Sequence, residues 1–97
     1  MLIKNQSTIE ICSVCDEIKE MLLEKNRKYG DSALNPVRIF SKASPIEQIY
    51  VRLDDKLSRI RNAQDDDNED AVMDAIGYLI LLKVARQRHG KSQEGEQ

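Results

Sequence analysis

The sequence predicts an all-α fold: a small antiparallel bundle of three main helices, with an ordered irregular connection between the first and the second. Three observations predict it. Apolar residues recur at spacings of three and four in three long segments. Capping and stop signals stand at the ends of those segments. No segment reads convincingly as a strand. At 97 residues the chain has room for one domain, expected over 1–90, followed by a polar tail over 91–97.

The first helix is expected from about Thr8 to Lys28. Ser7 or Thr8 can cap it, because a hydroxyl accepts from the orphan N–H groups of a first turn. Ile11, Val14, Cys15, Ile18, Met21 and Leu22 form one apolar face, and Gly30 ends the helix. The stretch from Asp31 to Ala43 mixes the turn-formers Asn35 and Pro36 with Leu34, Val37, Ile39 and Phe40. Four large apolar residues predict a connection packed on the helices, with a short helix at Pro36 to Lys42.

The second helix opens at Ser44-Pro45, a capping residue followed by a proline suited to the first helical position. Glu47 completes a capping-box pattern. Its predicted buried stripe is Ile46, Ile49, Tyr50, Leu53, Leu57 and Ile60. Asp65-Asp66-Asp67-Asn68 reads as an acidic turn at the positive end of the next helix. That third helix is expected from about Asn68 to Arg88. It is apolar nearly all round from Ala75 to Ala85, which predicts a central position or burial against another copy. A homo-oligomer is therefore expected. Lys83, Arg86 and Arg88 suit its negative C-terminal end, and the rest is a frayed tail.

Composition narrows the function classes. Fifteen basic residues against seventeen acidic ones argue against a general nucleic-acid binder. Phe40, Tyr29, Tyr50 and Tyr78 are the only aromatics, little material for base stacking. No apolar run approaches the roughly 20 residues that cross a bilayer. No signal peptide is visible, so a cytoplasmic setting is expected. Cys12 and Cys15 could be half of a zinc site or a redox pair. However, zinc takes four ligands, and redox pairs usually follow a strand. Two reduced, buried thiols in the core are the expectation.

Three charged sets could carry chemistry. Glu17, Glu20 and Glu24 line one helix edge, a spacing that can bind a hard divalent cation such as magnesium. A solvated acidic face is the plainer reading. Asp70 and Asp74 lie one turn apart, with Gly77 continuing their face. Asp74 opens an otherwise apolar segment, so it must meet a cation: a metal, or one of Arg52, Lys56 and Arg59. Those three basic residues flank the stripe of the second helix, with Arg38 and Lys42 just before it. Such a row beside carboxylates suits a phosphate-plus-metal site; snorkelling stems are the alternative. Packing the stripes is expected to bring Glu17, Glu24, Asp70 and Asp74 near Arg38, Arg52, Lys56 and Arg59 around one pocket.

Four segments then carry a resemblance. Glu24-Lys25-Asn26-Arg27-Lys28-Tyr29-Gly30 is followed by Asn35-Pro36-Val37-Arg38-Ile39-Phe40. Next come Val51-Arg52-Leu53-Asp54-Asp55-Lys56-Leu57-Ser58-Arg59-Ile60 and Glu69-Asp70-Ala71-Val72-Met73-Asp74-Ala75-Ile76-Gly77-Tyr78-Leu79. Over about residues 17 to 88 the chain resembles the first nucleotide-modification-associated domain family, helical proteins common in bacteriophages and prophages. The resemblance implies a nucleotide ligand, held by Lys28, Tyr29, Asn35, Arg38, Arg52, Lys56, Arg59 and Tyr78, in the cytoplasm of a phage-infected host. A more distant similarity is to MazG-like all-α nucleotide pyrophosphohydrolases, which implies magnesium at acidic pairs. Glu17-Ile18-Lys19-Glu20 fits the first pair; Asp70 and Asp74 are four apart where the second pair is three.

The expected function is recognition of a nucleotide phosphate, with sequestration of a host nucleotide or nucleotide signal. The alternatives are a magnesium-dependent nucleotide pyrophosphohydrolase and a structural helical oligomer.

Overall fold

A computed structural model describes residues 5–63 and 70–95. It contains three α-helices and, among the described residues, no strand: α1 Gln6–Tyr29, α2 Pro45–Arg61 and α3 Ala71–Gly95. The all-α class holds. No helix among the described residues is long and apolar enough to cross a membrane. The chain divides into two compact units, Met1–Gly30 and Asp31–Gln97.

The first unit is one helix. Its cap is Asn5, two or three residues earlier than expected. The Asn5 Oδ1 accepts from the Thr8 backbone N–H at 2.8 Å and from the Thr8 hydroxyl at 3.0 Å. Asparagine is a stronger cap than threonine, and its side chain reaches the third N–H of the helix. At the other end Gly30 takes φ 65°, and its N–H donates to the Asn26 carbonyl, the left-handed stop expected of glycine. Of its expected apolar stripe Ile18 is buried, Met21 and Leu22 are partly buried, and Ile11 and Val14 are exposed. Cys12 and Cys15 are both free and exposed, which corrects the expectation of buried thiols.

Asp31 also takes a positive φ, 64°, a conformation that aspartate tolerates better than most residues. Its carbonyl accepts from Leu34 N–H at 3.2 Å and Asn35 N–H at 2.9 Å, and its carboxylate accepts from the Asn35 amide at 2.6 Å. This tight turn delivers Leu34 into the core of the second unit. The rest of the connection differs from expectation. Pro36 to Lys42 forms no helix, and Val37, Ile39 and Phe40 are exposed, Phe40 at 95%. Pro36 holds its predecessor out of helical geometry, and Leu34 is the segment's buried apolar residue.

In the second unit Ser44 caps α2 as expected, its Oγ accepting from Glu47 N–H at 3.1 Å with Pro45 at the first position. The α2 and α3 helices pack on each other, and the pairs Lys56–Asp74 and Tyr50–Arg86 make them antiparallel. Leu34, Ile49, Leu53, Ala75, Leu82 and Ala85 form the core, edged by Ile46, Tyr50, Tyr78, Leu81 and Val84. Ile49 is 1% exposed. The face that α3 turns to α2 is largely alanine, which lets two backbones approach closely.

Leu57 and Ile60, expected in the stripe, are exposed; Lys56 takes the buried place at the next turn after Leu53. Ile60 belongs to the last turn of α2, where the partner helix is only beginning. Within one chain α3 is not covered all round: Val72, Leu79 and Ile80 are half-exposed, since one partner helix covers one side of a cylinder. The helix itself continues past Gly90 to Gly95, where a frayed tail was expected. Lys91, Gln93 and Glu94 are good helix formers, so Lys83, Arg86 and Arg88 lie well before its end. The acidic turn at Asp65 to Asn68, and Glu69, fall outside the described residues.

Candidate functional site

A cleft of about 480 Å³ opens on α2. One wall is the end of the connection, Ser41 and Ala43. The floor is α2, with Gln48, Val51, Arg52, Asp55 and Lys56. Tyr78 of α3 completes the lining. Local hydrogen bonds shape the first wall. The Gln48 amide donates to the Ala43 carbonyl at 2.9 Å, and the Ala43 N–H donates to Ser41 Oγ at 3.1 Å. The connection is thereby tied to the first turns of α2.

The charges in and behind this cleft are not equivalent. Lys56 Nζ lies 3.2 Å from Asp74 Oδ2, and the two side chains are only 11% and 15% exposed. Asp74 therefore meets a cation, and Lys56 supplies one. At the lip, Arg59 Nε donates to Asp55 Oδ2 at 3.2 Å. Arg52 is exposed and lines the cleft, with no ion pair to another described residue. The pairings leave one positive charge over, on a guanidinium that can fork onto two oxygens of an anion.

Of the expected site residues, the cleft gathers Arg52, Lys56 and Tyr78, with Arg59 at its lip through Asp55. Arg38 is exposed and donates to the Lys42 carbonyl at 3.5 Å. Asn35 serves the Asp31 turn. Asp70 caps α3, its Oδ1 accepting from Met73 N–H at 3.0 Å. Lys28 and Tyr29 end α1, the ammonium 5.4 Å from the ring centre. Glu17 and Glu20 are exposed on α1, and Glu24 accepts from Arg27 Nε at 3.2 Å. Among the described residues no group of three or more His, Cys, Asp or Glu gathers where it could hold a metal ion.

The sequence reading missed Gln48, Val51 and Asp55. Gln48, Arg52, Asp55 and Arg59 follow the three-and-four spacing of a single helix face, and reading that face whole would have found the polar lining. Ser41 and Ala43 carried no such signal, because their place depends on the fold of the connection.

Compared with known proteins, the chain matches no family model, no curated protein and no solved structure.

Proposed function

We propose that this chain is a small nucleotide-binding protein that takes the phosphate of its ligand at the α2 cleft. The observation that carries the reading is Arg52, a cation left over after Lys56 and Asp55 have found partners, in a cleft whose volume suits a small molecule. Arg52 forks onto phosphate oxygens. Tyr78 and Val51 offer apolar surface to the sugar or base, and Gln48 and Ser41 offer polar contacts. The resemblance to phage-type nucleotide-modification-associated proteins supports a nucleotide as the ligand class. A binder that releases nothing fits sequestration of a host nucleotide or nucleotide signal.

The test is a thermal-shift panel of nucleoside mono-, di- and triphosphates, with and without magnesium, followed by recovery of the ligand. A nucleotide at about 100 times its Kd adds about 2.7 kcal/mol to stability. The shift should vanish in Arg52→Gln, whose exposed side chain can be changed without loss of helicity. Hydrolysed ligand recovered only with magnesium would favour the pyrophosphohydrolase reading. No shift with any nucleotide at millimolar concentration would sink both.

Association of copies through α3 is a second reading, favoured by Val72, Leu79 and Ile80 on its half-exposed side. Light scattering at micromolar concentration reads it directly, and a monomer mass removes it.

A further inference from the structure

Cys12 and Cys15 are free, exposed thiols in the interior of α1, three residues apart. Two chemistries are open to such a pair, and helix geometry decides between them. At this spacing the two Cβ atoms stand about 5–6 Å apart on successive turns. A disulfide needs them about 3.5–4.5 Å apart, so bridging would unwind the helix locally. Chelation has more slack. Zn–S bonds of about 2.3 Å at tetrahedral angles hold two sulfurs about 3.8 Å from each other. Each Sγ can rotate among its χ1 rotamers and lean toward the other, so the pair reaches that spacing with the helix intact.

We propose that Cys12 and Cys15 are half of a thiolate zinc site, completed by the same two residues of a second copy of this chain. Structural zinc takes four ligands, and four thiolates are a common set. Among the described residues no third His, Cys, Asp or Glu joins the pair, so a four-ligand site needs two more donors. A second copy brings an identical pair, and a two-fold axis relates two pairs of sulfurs as a tetrahedron requires. Ile11 and Val14 lie exposed next to the cysteines, apolar surface that two α1 helices would cover around the metal. Binding deprotonates four thiols and releases four protons to solvent. This site shares no residue with the α2 cleft, and the nucleotide reading neither requires it nor depends on it.

The experiment uses the full chain, reduced and metal-free, titrated with Zn²⁺ while mass is followed by light scattering. Co²⁺ in place of zinc reports the ligand set through its sulfur-to-metal charge-transfer bands. The expected result is one zinc per two chains, a doubled mass that EDTA reverses, and a tetrathiolate cobalt spectrum. Cys12→Ser and Cys15→Ser should each abolish the dimer and leave far-UV circular dichroism unchanged. Because the cobalt spectrum is read on the unaltered chain, the proposal stays testable even if a variant folds poorly. Zinc at one per chain with unchanged mass would overturn it, as would no uptake at micromolar metal. A dimer that ignores EDTA belongs to the α3 surface and also counts against zinc bridging.

Discussion

Lys56–Asp74 and Arg27–Glu24 are the same chemistry in two settings. The first joins α2 to α3 at 3.2 Å with its side chains 11% and 15% exposed. The second lies along α1, with side chains 74% and 59% exposed. In the first, both charges have left most of their water and face each other. In the second, either charge can return to solvent at little cost. An ion pair's contribution is therefore set less by its distance than by what each partner would face alone.

The largest effect should come from breaking the inner pair. Asp74→Ala removes the carboxylate 3.2 Å from the largely buried Lys56 ammonium, and should destabilise the protein by about 3 kcal/mol. Chemical denaturation measures it. Replacing both, Lys56→Met with Asp74→Leu, should recover most of the loss, because the pair's own desolvation is then removed as well. If the double variant is no more stable than Asp74→Ala, the loss does not come from the charge that Lys56 keeps. Asp74→Ala should also leave nucleotide affinity untouched if the residue serves only as Lys56's partner.

Ser44→Ala sharpens the comparison. Its contact with the Glu47 N–H is as local as that of Glu24 with Arg27, also three residues apart. But the group it satisfies is a backbone donor at a helix start with no intrahelical partner. A loss of about 1 kcal/mol is expected, well above that of an exposed local ion pair. Thermal melts of the two variants side by side give the ratio.

The same distinction explains what was legible in the sequence. Elements whose causes are local could be read: Ser44-Pro45 before α2, Gly30 after α1, the spacing of Ile49 and Leu53. Asp74's need for a cation was readable from its apolar surroundings, but which of three basic residues answers it was fixed only by the register of α2 on α3. Burial was the least legible quantity. Leu57, Ile60 and Phe40 have apolar side chains like Leu53, yet only a partner surface decides which are covered. The stripe on α1 predicted buried cysteines on periodicity alone, and periodicity does not say where the second surface comes from. The cleft was half visible: its cations belong to one helix face, while Ser41 and Ala43 reach it through a turn with no periodic signal.

Ala63 tests a contribution that involves no side-chain contact at all. It follows α2 with φ 51°, left-handed backbone that disfavours a residue with a Cβ. Ala63→Gly removes that penalty but lets the unfolded chain roam more widely. The net expectation is a gain of about 0.5 kcal/mol, seen as a rise in melting temperature. A loss would show that the left-handed turn costs alanine less than the glycine costs in unfolded-chain entropy.

The smallest effect should be at Glu24. Glu24→Gln removes the charge that faces Arg27 and keeps the shape and a hydrogen-bond acceptor. The Arg27 guanidinium, already largely in water, loses an attraction that water and salt screen. Local helix pairs of this kind contribute about 0.5 kcal/mol or less, so melts of the variant and the parent should nearly coincide. The small difference should shrink between low and high salt, whereas the penalty of Asp74→Ala should persist because its environment admits little water. A drop above about 1 kcal/mol for Glu24→Gln, or an Asp74→Ala penalty that salt erases, would break the distinction between the two pairs, and exposure would then be the wrong variable by which to separate them.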